Sequence, residues 1–575
     1  MSSDGLNAMA DSATALVAAL APIQDGLLAD AGLALLAHLW FKRYEPTDLV
    51  SLGILLGVLP AVPVALLRVP LASTPLAILV GYASFYAFLL FSITAYRLSP
   101  FHPLYKYPGP LLGRLTNFRG MFIAAGGKQH LYFKEMHAKY GPIVRLGPNV
   151  LSIVDTDLLP SILNMPRGPM WDGRRISGKR GQGTAGIQKG NLMGSRNMQV
   201  HGEARKVWNR AFTTASVKKY EPIVIRRVSQ LVDELKGRCA ANPSKAAEVD
   251  IAYWIDCFSF DFMGDFAFGG PFDLLRDGDK IGVLKMMEDS LFVPNLSGHV
   301  PWTIEAVVRL PFLPKGAKGL GEFAFKQVLR RLKEGAVHDD LFYHLNDEAK
   351  IDNDPPPLPV LVSNAVTAIV AGSDTTAASL THALYLLMGH PTCYKRLQSE
   401  LDAAFPPGGE MPTDSAKLAQ LEYLNAVINE TLRLFPALMT SLQRGPTPGS
   451  GGQLLGGKMF VPEGTGVYIP PYVYNRDPRF FSPNPEVFWP ERWILAKSDP
   501  SITLNPSAFL SFSAGPANCV GKPLALIEMR MTLASLLQAF EVRYADGYDS
   551  RKWVDGLGDF LVTTRGELPV VLKLR

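Results

Sequence analysis

The chain has 575 residues, of which 47% are hydrophobic and 19% are charged, and its formal net charge at pH 7 is +5. This composition suits one large or two ordinary globular domains with a substantial core; it excludes a mainly disordered chain, and the mild positive charge lacks the density of a nucleic-acid site. Four scattered cysteines are too few for a disulfide framework or a zinc cluster, which favours a reducing compartment and a cysteine that acts alone.

The first hundred residues are predicted to form a membrane anchor. Residues 49–67 contain no charged residue in 19 positions, and residues 69–96 contain none in 28; each run is long enough to cross a hydrocarbon core of about 30 Å. A third apolar run, residues 31–41, follows Asp30 and either lies in the membrane interface or completes a tilted span. The alternative for these runs is buried core helices. We therefore predict two spans within residues 1–100 and leave the third run open.

Basic residues dominate the segment after the last span. It carries Arg97, Lys106, Arg114 and Arg119, and no acidic residue occurs before Glu135. The positive-inside rule places such a segment on the cytoplasmic side. Residues 108–110 read Pro-Gly-Pro, which cannot continue a helix and predicts a stiff hinge. We expect the anchor to be followed by one domain, residues 101–575, that faces the cytosol.

Helical periodicity predominates beyond the hinge. Apolar residues recur at helical spacing through four segments: 222–236, 358–389, 418–436 and 522–539. Strand-like runs are short, as in "IVRLG", "VLSIV" and "VYI". The pattern predicts a mainly α fold with small β-sheets (α+β). The sequence has no glycine-rich phosphate loop between a strand and a helix, so bound flavin or nicotinamide nucleotide is not indicated.

Residues 167–196 form a segment of different composition, with eight glycines, seven basic residues and one acid. We expect a solvated, mobile loop. The alternative is a lid near the membrane, whose positive charge meets lipid headgroups or an acidic substrate.

A long apolar helix is predicted over residues 358–389, between Pro357 and Pro391. Asp374 is the only charged residue in its centre, and a lone carboxylate there is costly unless it has a partner or a function. Gly372 allows close approach of another group, and the hydroxyl of Thr375 can bond back to the preceding turn and loosen the helix. An acid beside an alcohol at a local opening favours proton delivery. The alternative is a structural kink with a satisfied aspartate.

A charged pair lies in a second apolar helix. Glu430 and Arg433 in "NETLRL" are three residues apart and share a helix face. Arg492 in "WPERW" offers a second guanidinium that can close a buried ion-pair network. The alternative is a solvated surface pair.

The stretch "FSAGPANCVG", residues 512–521, sets one cysteine among small residues. Cys519 follows a turn-rich loop and precedes a helical pattern, so it lies at a helix N-terminus, where the dipole and free N–H groups favour the thiolate. The pattern indicates a nucleophile or a metal ligand.

Together these motifs resemble the cytochrome P450 superfamily. "FSAGPANCVG" is similar to its F-x-x-G-x-x-x-C-x-G signature, "AGSDTT" to its central helix, and "ETLR" with "PERW" to its ion-pair network. The motifs occur in the family's order, and the resemblance covers roughly residue 100 to the C-terminus. It implies the cytochrome P450 fold, with a long central helix over haem b, in a membrane-anchored, microsomal and fungal type of enzyme.

The resemblance also implies roles for the motif residues. Cys519 is the axial ligand of the haem iron, Gly515 and Gly521 let the backbone lie against the porphyrin, and Phe512 shields the sulfur. Thr375 hydrogen-bonds dioxygen and a proton-donating water, and Asp374 relays protons from solvent. The network residues are structural: Glu430, Arg433 and Arg492.

One position departs from the family pattern. Ala517 stands two residues before Cys519, where the family usually has an Arg or His that binds a haem propionate. The resemblance offers three other residues for this charge: His201 and Arg205 in "HGEARKVWNRAF", and Arg444 in "SLQRGP". As bare sequence, His201 and Arg205 also fit a solvated i, i+4 pair.

The function that the resemblance implies is a monooxygenase on the endoplasmic reticulum membrane. It uses O2, and its electrons come from a separate NADPH-cytochrome P450 reductase, with cytochrome b5 as a second donor. The expected substrate is a mainly apolar small molecule, with a terpenoid or another fungal secondary metabolite as the first expectation. The alternatives are a reductase-independent isomerase or dehydratase and a non-catalytic haem sensor; both commonly lack the acid and threonine found here.

Overall fold

The structure, a computed structural model, describes eight stretches of the chain: residues 3–46, 48–173, 192–193, 196–270, 272–303, 316–352, 356–440 and 443–575. The described residues form two compact units. The first lies within Met1–Asn117, Arg145–Pro148 and Val300–Leu313, and the second lies within Phe118–Val144, Asn149–His299 and Pro314–Arg575. Most of the glycine-rich segment 167–196 lies outside the described residues, so both interpretations of it stay predictions.

Long apolar helices make up the first unit. Its helical elements are Ser3–Tyr44, Leu49–Gly53 continued by a π-helix at Ile54–Val58, Ala61–Leu71, Thr74–Leu98, Leu111–Leu115 and a 3-10 turn at Pro301–Thr303. By length and composition, Leu49–Leu71 and Thr74–Leu98 can each cross a membrane, with mean hydropathies of 2.4 and 2.1. The first contains the predicted span 49–67, whereas the predicted span 69–96 is shortened at its start, because the chain turns at Ala72 and Ser73 before Thr74. Both helices suit a membrane anchor.

Polar side chains join the first and last long helices of this unit. The hydroxyl of Ser84 donates to the carboxylate of Asp30, and Nδ1 of His38 lies 2.7 Å from the hydroxyl of Ser92. Both pairs are 54 residues apart in sequence. A constant separation means that Ser3–Tyr44 runs parallel to the other helix, in matched register.

The helix between them runs the other way. The hydroxyl of Tyr86 donates to the carbonyl of Leu56 at 2.6 Å, and a Cβ on Gly81 would lie 2.8 Å from Cγ2 of Val64. Residue numbers along Thr74–Leu98 therefore increase as those of the contacted residues decrease, so the two segments are antiparallel. The three helices follow an up-down-up order.

Helices also predominate in the second unit. They are Phe118–Ala125, Gln129–Tyr140, Leu159–Leu163, Met170–Gly173, Met198–Ala211, Thr214–Ala240, Ile251–Phe268, Leu274–Asp277, Val283–His299, Gly316–Glu334, Leu341–Leu345, Leu358–Ile369, a π turn at Val370–Asp374, Thr375–Gly389, Pro391–Ala404, Ser415–Gln420, Glu422–Leu434, Pro471–Tyr474, Arg492–Leu495, Lys522–Ala539 and Arg551–Gly556, with 3-10 turns at Pro506–Ala508 and Gly515–Ala517. Three of the four helices predicted from periodicity are confirmed, and the fold is mainly α. The fourth, 418–436, is divided at the extended residue Leu421 into Ser415–Gln420 and Glu422–Leu434.

The strands are short and form small sheets. They are Ile143–Gly147, Val150–Ile153, Ala246–Asp250, Gly452–Leu455, Met459–Pro462, Gly466–Tyr468, Phe481–Ser482, Thr503–Leu504, Phe540–Tyr544, Gly558–Phe560, Val562–Thr564 and Pro569–Leu574. Pro569–Leu574 pairs antiparallel with two strands, so that Val571 lies opposite both Glu248 and Arg543. Val150–Ile153 pairs parallel with Gly466–Tyr468.

The central helix, Leu358–Gly389, organises the core of the second unit. It packs against Ile251–Phe268, which is buried along nearly its whole length, and against Lys522–Ala539, which follows Cys519. The proline-rich entry and Pro391 bound it as predicted, because proline cannot continue a helix interior. This packing sets the helix that carries the acid and the alcohol against the helix that follows the cysteine loop.

Candidate functional site

The loop that carries the cysteine closes on itself through backbone hydrogen bonds. The N–H of Cys519 donates to the carbonyl of Phe512 at 2.9 Å, and the N–H of Asn518 donates to the carbonyl of Gly515 at 3.1 Å. Gly515 has φ +73°, and a Cβ on it would lie 3.2 Å from Cβ of Leu163. Glycine therefore satisfies both the left-handed conformation and the close approach.

Backbone N–H groups surround the sulfur of Cys519 at the start of Lys522–Ala539. Burial raises the pKa of the Cys519 thiol, whereas hydrogen bonds from the N–H groups of Gly521 and Lys522 and the positive charges of Arg205 and Lys522 favour the thiolate. The Cys519 side chain is nevertheless accessible. A thiolate here has N–H donors on one side and an open face on the other, which suits a metal ligand.

Three buried basic side chains form a group that we call the cation cluster: Arg167, His201 and Arg444. Burial lowers the pKa of Arg444 to about 10, and burial together with the charge of Arg444 lowers the pKa of Arg167 to about 9. Burial, and then the charges of Arg167, Arg205 and Arg444, lower the pKa of His201 to about 4. His201 is therefore neutral at pH 7, and the cluster carries two positive charges.

The cation cluster fits the charge of haem b, which carries two propionate carboxylates. Nε of Arg444 is buried and has no hydrogen-bond partner within the described part of the chain. A buried guanidinium without a counter-charge is costly, so an anionic group at this cluster stabilises the protein. With the accessible thiol of Cys519 as a ligand, the residues present fit a haem group.

Arg205 binds the cysteine loop. Its Nη1 donates to the carbonyl of Asn518 at 2.6 Å, and its Nη2 donates to Oδ1 of the same residue at 2.7 Å. The structure thus places Arg205 beside Ala517, whereas His201 and Arg444 lie in the cation cluster.

Arg167 is a member of the cation cluster that the sequence analysis missed. Its backbone bridges that of Arg444, and its Nη1 donates to the carbonyl of Leu192 at 3.0 Å. Its position at the start of a glycine-rich segment gave no indication of burial, since the pairing partner lies far away in sequence.

The central helix opens by one π turn at Val370–Asp374, in the region where loosening was expected. The hydroxyl of Thr375 donates to the carbonyl of Ala371 at 2.7 Å. Ala371 is exposed although it lies in the middle of this helix, so the turn is accessible on this face. A Cβ on Gly372 would collide with the sulfur of Met263 on the neighbouring helix, which identifies the group that approaches closely.

Asp374 is buried and paired. Nη1 of Arg565 donates to its Oδ1 at 3.1 Å, and the same guanidinium contacts Asp256. Burial raises the pKa of Asp374, and the charge of Arg565 opposes this shift. Sequence reasoning missed Arg565 and Asp256, because a contact across 191 residues leaves no local pattern.

The three predicted network residues meet in the core. Arg433 donates from Nε and Nη2 to the two carboxylate oxygens of Glu430, both at 2.8 Å, and Nε of Arg492 donates to Oε1 at 3.0 Å. All three side chains are fully buried. The indole of Trp493 adds a hydrogen bond to Glu430 at 2.9 Å. These contacts form a buried network rather than a solvated surface pair.

The family resemblance also implies that residues 291–313 and the turn near Phe560 line a substrate pocket, and aromatic rings of these two segments are in contact. The ring centroids of Phe292 and Phe560 lie 5.9 Å apart, and the N–H of Thr563 donates to the carbonyl of Ala437 at 2.9 Å. Two further segments that the resemblance implies as lining, 170–196 and 436–442, fall partly outside the described residues.

Comparison with known proteins gives a consistent picture. The family model for cytochrome P450 matches residues 103–567. Cytochrome P450 monooxygenase FCK2 of Fusarium pseudograminearum is 35% identical over 85% of this chain and 85% of its own length. Cytochrome P450 monooxygenase nodW of Hypoxylon pulicicidum is 34% identical over 79% and 80%, and Tryprostatin B 6-hydroxylase of Aspergillus fumigatus is 31% identical over 86% and 84%. With its signature motifs, its mainly helical fold and these relatives, the chain belongs to the cytochrome P450 family and is a monooxygenase.

Proposed function

We propose that this chain is a membrane-anchored haem-thiolate enzyme that oxidises an apolar small molecule of fungal secondary metabolism. One oxygen atom of O2 enters a C–H bond of the substrate, and the other leaves as water with two protons and two electrons. The electrons come from NADPH through a separate reductase. The observation that carries the proposal is the accessible thiol of Cys519, held by two N–H donors near a buried positive cluster.

In this proposal the chain holds haem from several sides. When bound, haem supplies the iron at which O2 is reduced, and a thiolate ligand promotes cleavage of the O–O bond. Cys519 would bind the haem iron through its sulfur, and Phe512, Gly515 and Gly521 would shape the loop that lies against the ring. The remaining contacts fall to His201, Arg205 and Arg444: His201 and Arg444 bind the propionates, with Arg167 as an added partner, while Arg205 braces the cysteine loop through Asn518.

Asp374 and Thr375 are assigned to proton delivery. Thr375 lies at the end of the π turn with its hydroxyl 2.7 Å from the carbonyl of Ala371; there it orients a water toward the reacting oxygen. Asp374 holds and passes on the proton. Glu430, Arg433 and Arg492 are structural and fix the core beneath the haem without touching substrate.

The proposed partner is NADPH-cytochrome P450 reductase, with cytochrome b5 as a second donor. Lys206 and Lys522 are exposed beside the cysteine loop and offer positive charge to an acidic partner. The proposed location is the endoplasmic reticulum membrane, with residues 101–575 in the cytosol, because basic residues follow the last span.

The proposed substrate is a terpenoid or another fungal secondary metabolite. The name of Tryprostatin B 6-hydroxylase describes hydroxylation of tryprostatin B by a fungal relative. The contact between Phe292 and Phe560 supports an apolar pocket.

The decisive experiment is the reduced carbon monoxide difference spectrum of the wild type and of Cys519→Ser. We expect the red-shifted Soret band of thiolate-ligated haem in the wild type and its loss in the variant. A folded wild type without this band would refute the assignment of Cys519. Reconstitution with reductase and NADPH then tests the reaction: turnover that ignores both would favour an isomerase or dehydratase, and haem binding without any turnover would favour a sensor.

A further inference from the structure

Arg565 links Asp374 to a carboxylate that the proposed mechanism does not use. Its Nη1 donates to Oδ1 of Asp374 at 3.1 Å, and its Nη2 contacts Oδ1 of Asp256. Arg565 follows the strand Val562–Thr564, Asp256 lies in Ile251–Phe268, and Asp374 lies in the π turn. One guanidinium therefore ties three separate elements together.

The two carboxylates differ in their access to solvent. The side chain of Asp374 is 9% exposed and that of Arg565 is 5% exposed, whereas that of Asp256 is 25% exposed. Asp256 is thus the member that water reaches most readily, and Asp374 is the member next to Thr375.

One cation cannot neutralise both carboxylates of this group. If both were ionised, the group would keep a net negative charge in a poorly solvated site, which is costly. Burial raises the pKa of Asp256 to about 7, against the charge of Arg565, and burial also raises the pKa of Asp374. Below about pH 7 the group therefore holds a proton on Asp256, and the raised pKa of Asp374 favours its acceptance of that proton.

We propose that Arg565 and Asp256 are positioning residues for proton delivery, and that Asp256 takes a proton from water and hands it to Asp374. In this step a proton leaves the carboxyl of Asp256 and reaches the carboxylate of Asp374 through an intervening water. Arg565 stays charged and moves its hydrogen bonds to the carboxylate that has just become ionised. The inference rests on the proposed role of Asp374.

Other charged groups modulate the pair without replacing it. Asp250 faces Asp256 from the start of the same helix, and Glu288 faces both carboxylates from Val283–His299; each raises the pKa of Asp256. His382 lies on the central helix near Arg565, and burial followed by the charge of Arg565 lowers its pKa to about 3. His382 is therefore neutral and does not compete for the proton.

The test uses the full-length, haem-loaded enzyme and three variants: Asp256→Asn, Arg565→Lys and Asp374→Asn. The first readout is infrared absorption of protonated carboxyl groups, without turnover. We expect a band that titrates near pH 7 in the wild type and is lost in Asp256→Asn. The second readout is the fraction of NADPH electrons recovered in product rather than in hydrogen peroxide. We expect a loss of about 100-fold in product formation for Asp374→Asn and about tenfold for Asp256→Asn.

Arg565→Lys keeps the positive charge, so we expect it to retain most of the coupling of NADPH electrons to product. If Arg565 acted only through packing, the lysine variant would lose that coupling. Asp289→Asn is the matched control, because Asp289 lies on the neighbouring helix and pairs with Lys285 at 2.8 Å. If Asp256→Asn showed the same infrared titration and the same coupling as the wild type, the inference would be overturned, and Asp374 would remain the relay. Wild-type coupling in Asp374→Asn would instead refute the proposed function of Asp374. A variant that loses its Soret band has failed to fold, and the remaining variants then decide.

Discussion

Arg433 donates hydrogen bonds to both carboxylate oxygens of Glu430 at 2.8 Å, and neither side chain is exposed to solvent. Removal of the carboxylate charge would leave the guanidinium groups of Arg433 and Arg492 buried without a counter-charge. We therefore expect Glu430→Gln to lower the free energy of unfolding by about 3–5 kcal/mol, measured by denaturant titration. Glu422→Gln is the control, because Glu422 lies on the same helix as Glu430 and forms a solvent-exposed pair with Lys497. Equal losses of unfolding free energy in Glu430→Gln and Glu422→Gln would show that the buried network stabilises the protein no more than an exposed pair does.

The two glycines of the cysteine loop should respond differently to alanine. Gly515→Ala forces φ +73° on a residue with a Cβ that lies 3.2 Å from Leu163, and we expect a cost of about 1–2 kcal/mol in folding. Gly521 has φ −79°, and a Cβ there meets Phe212 only at 3.8 Å, so Gly521→Ala should fold normally. Thermal unfolding of the haem-free proteins separates them. A destabilised Gly521→Ala would contradict the geometry.

Arg444→Met should have opposite effects on the haem-free and haem-loaded protein. The buried charge of Arg444 has a cost when no anion is near, so the substitution should raise the melting temperature of the haem-free form. Loss of a propionate partner should speed the transfer of haem to an acceptor protein. Arg543→Met, in an exposed pair with Asp546, should change neither quantity. If Arg444→Met lowered the melting temperature of both the haem-free and the haem-loaded protein, Arg444 would have a purely structural role.

Asp256 should make stability depend on pH in a defined direction. Its pKa rises from 3.8 in the unfolded chain to about 7 in the folded protein, so the folded state binds more protons between these values. Linkage then predicts that the contribution of Asp256 to stability is largest below pH 4 and declines as pH rises to about 7. Denaturant titrations across this range should show a steeper decline for the wild type than for Asp256→Asn. Identical slopes would mean that Asp256 ionises normally.

The orientation of the anchor can be tested at its first helix. Because Ser3–Tyr44 runs parallel to Thr74–Leu98, the chain ahead of Ser3 and the chain after Leu98 should lie on opposite sides of the membrane. A glycosylation acceptor placed ahead of Ser3 should be modified in microsomes, whereas one placed in the exposed loop at Gly408 should not. Modification at neither position would support a first helix that does not cross.

Local sequence patterns predicted the elements of the fold well. Prolines bounded the central helix, and short strand-like apolar runs marked the strands at 143–147 and 466–468, because these signals act within a few residues. The pairing of Asp374 with Arg565 could not be predicted in this way, since the partner enters from the far end of the chain. The same holds for Arg167, which a β-bridge to Arg444 draws into the core.

The paired polar groups of the anchor bear on how the protein can be shortened for expression. Asp30 and His38 are matched by Ser84 and Ser92 in the parallel helix, so these four side chains shield one another from lipid. Deletion of the first helix alone would expose the two serines to hydrocarbon. Deletion of Thr74–Leu98 alone would leave the carboxylate of Asp30 in hydrocarbon without its hydrogen-bond partner. A truncation that removes all three helices leaves no such group behind, and the anchor is therefore best kept or discarded as one piece.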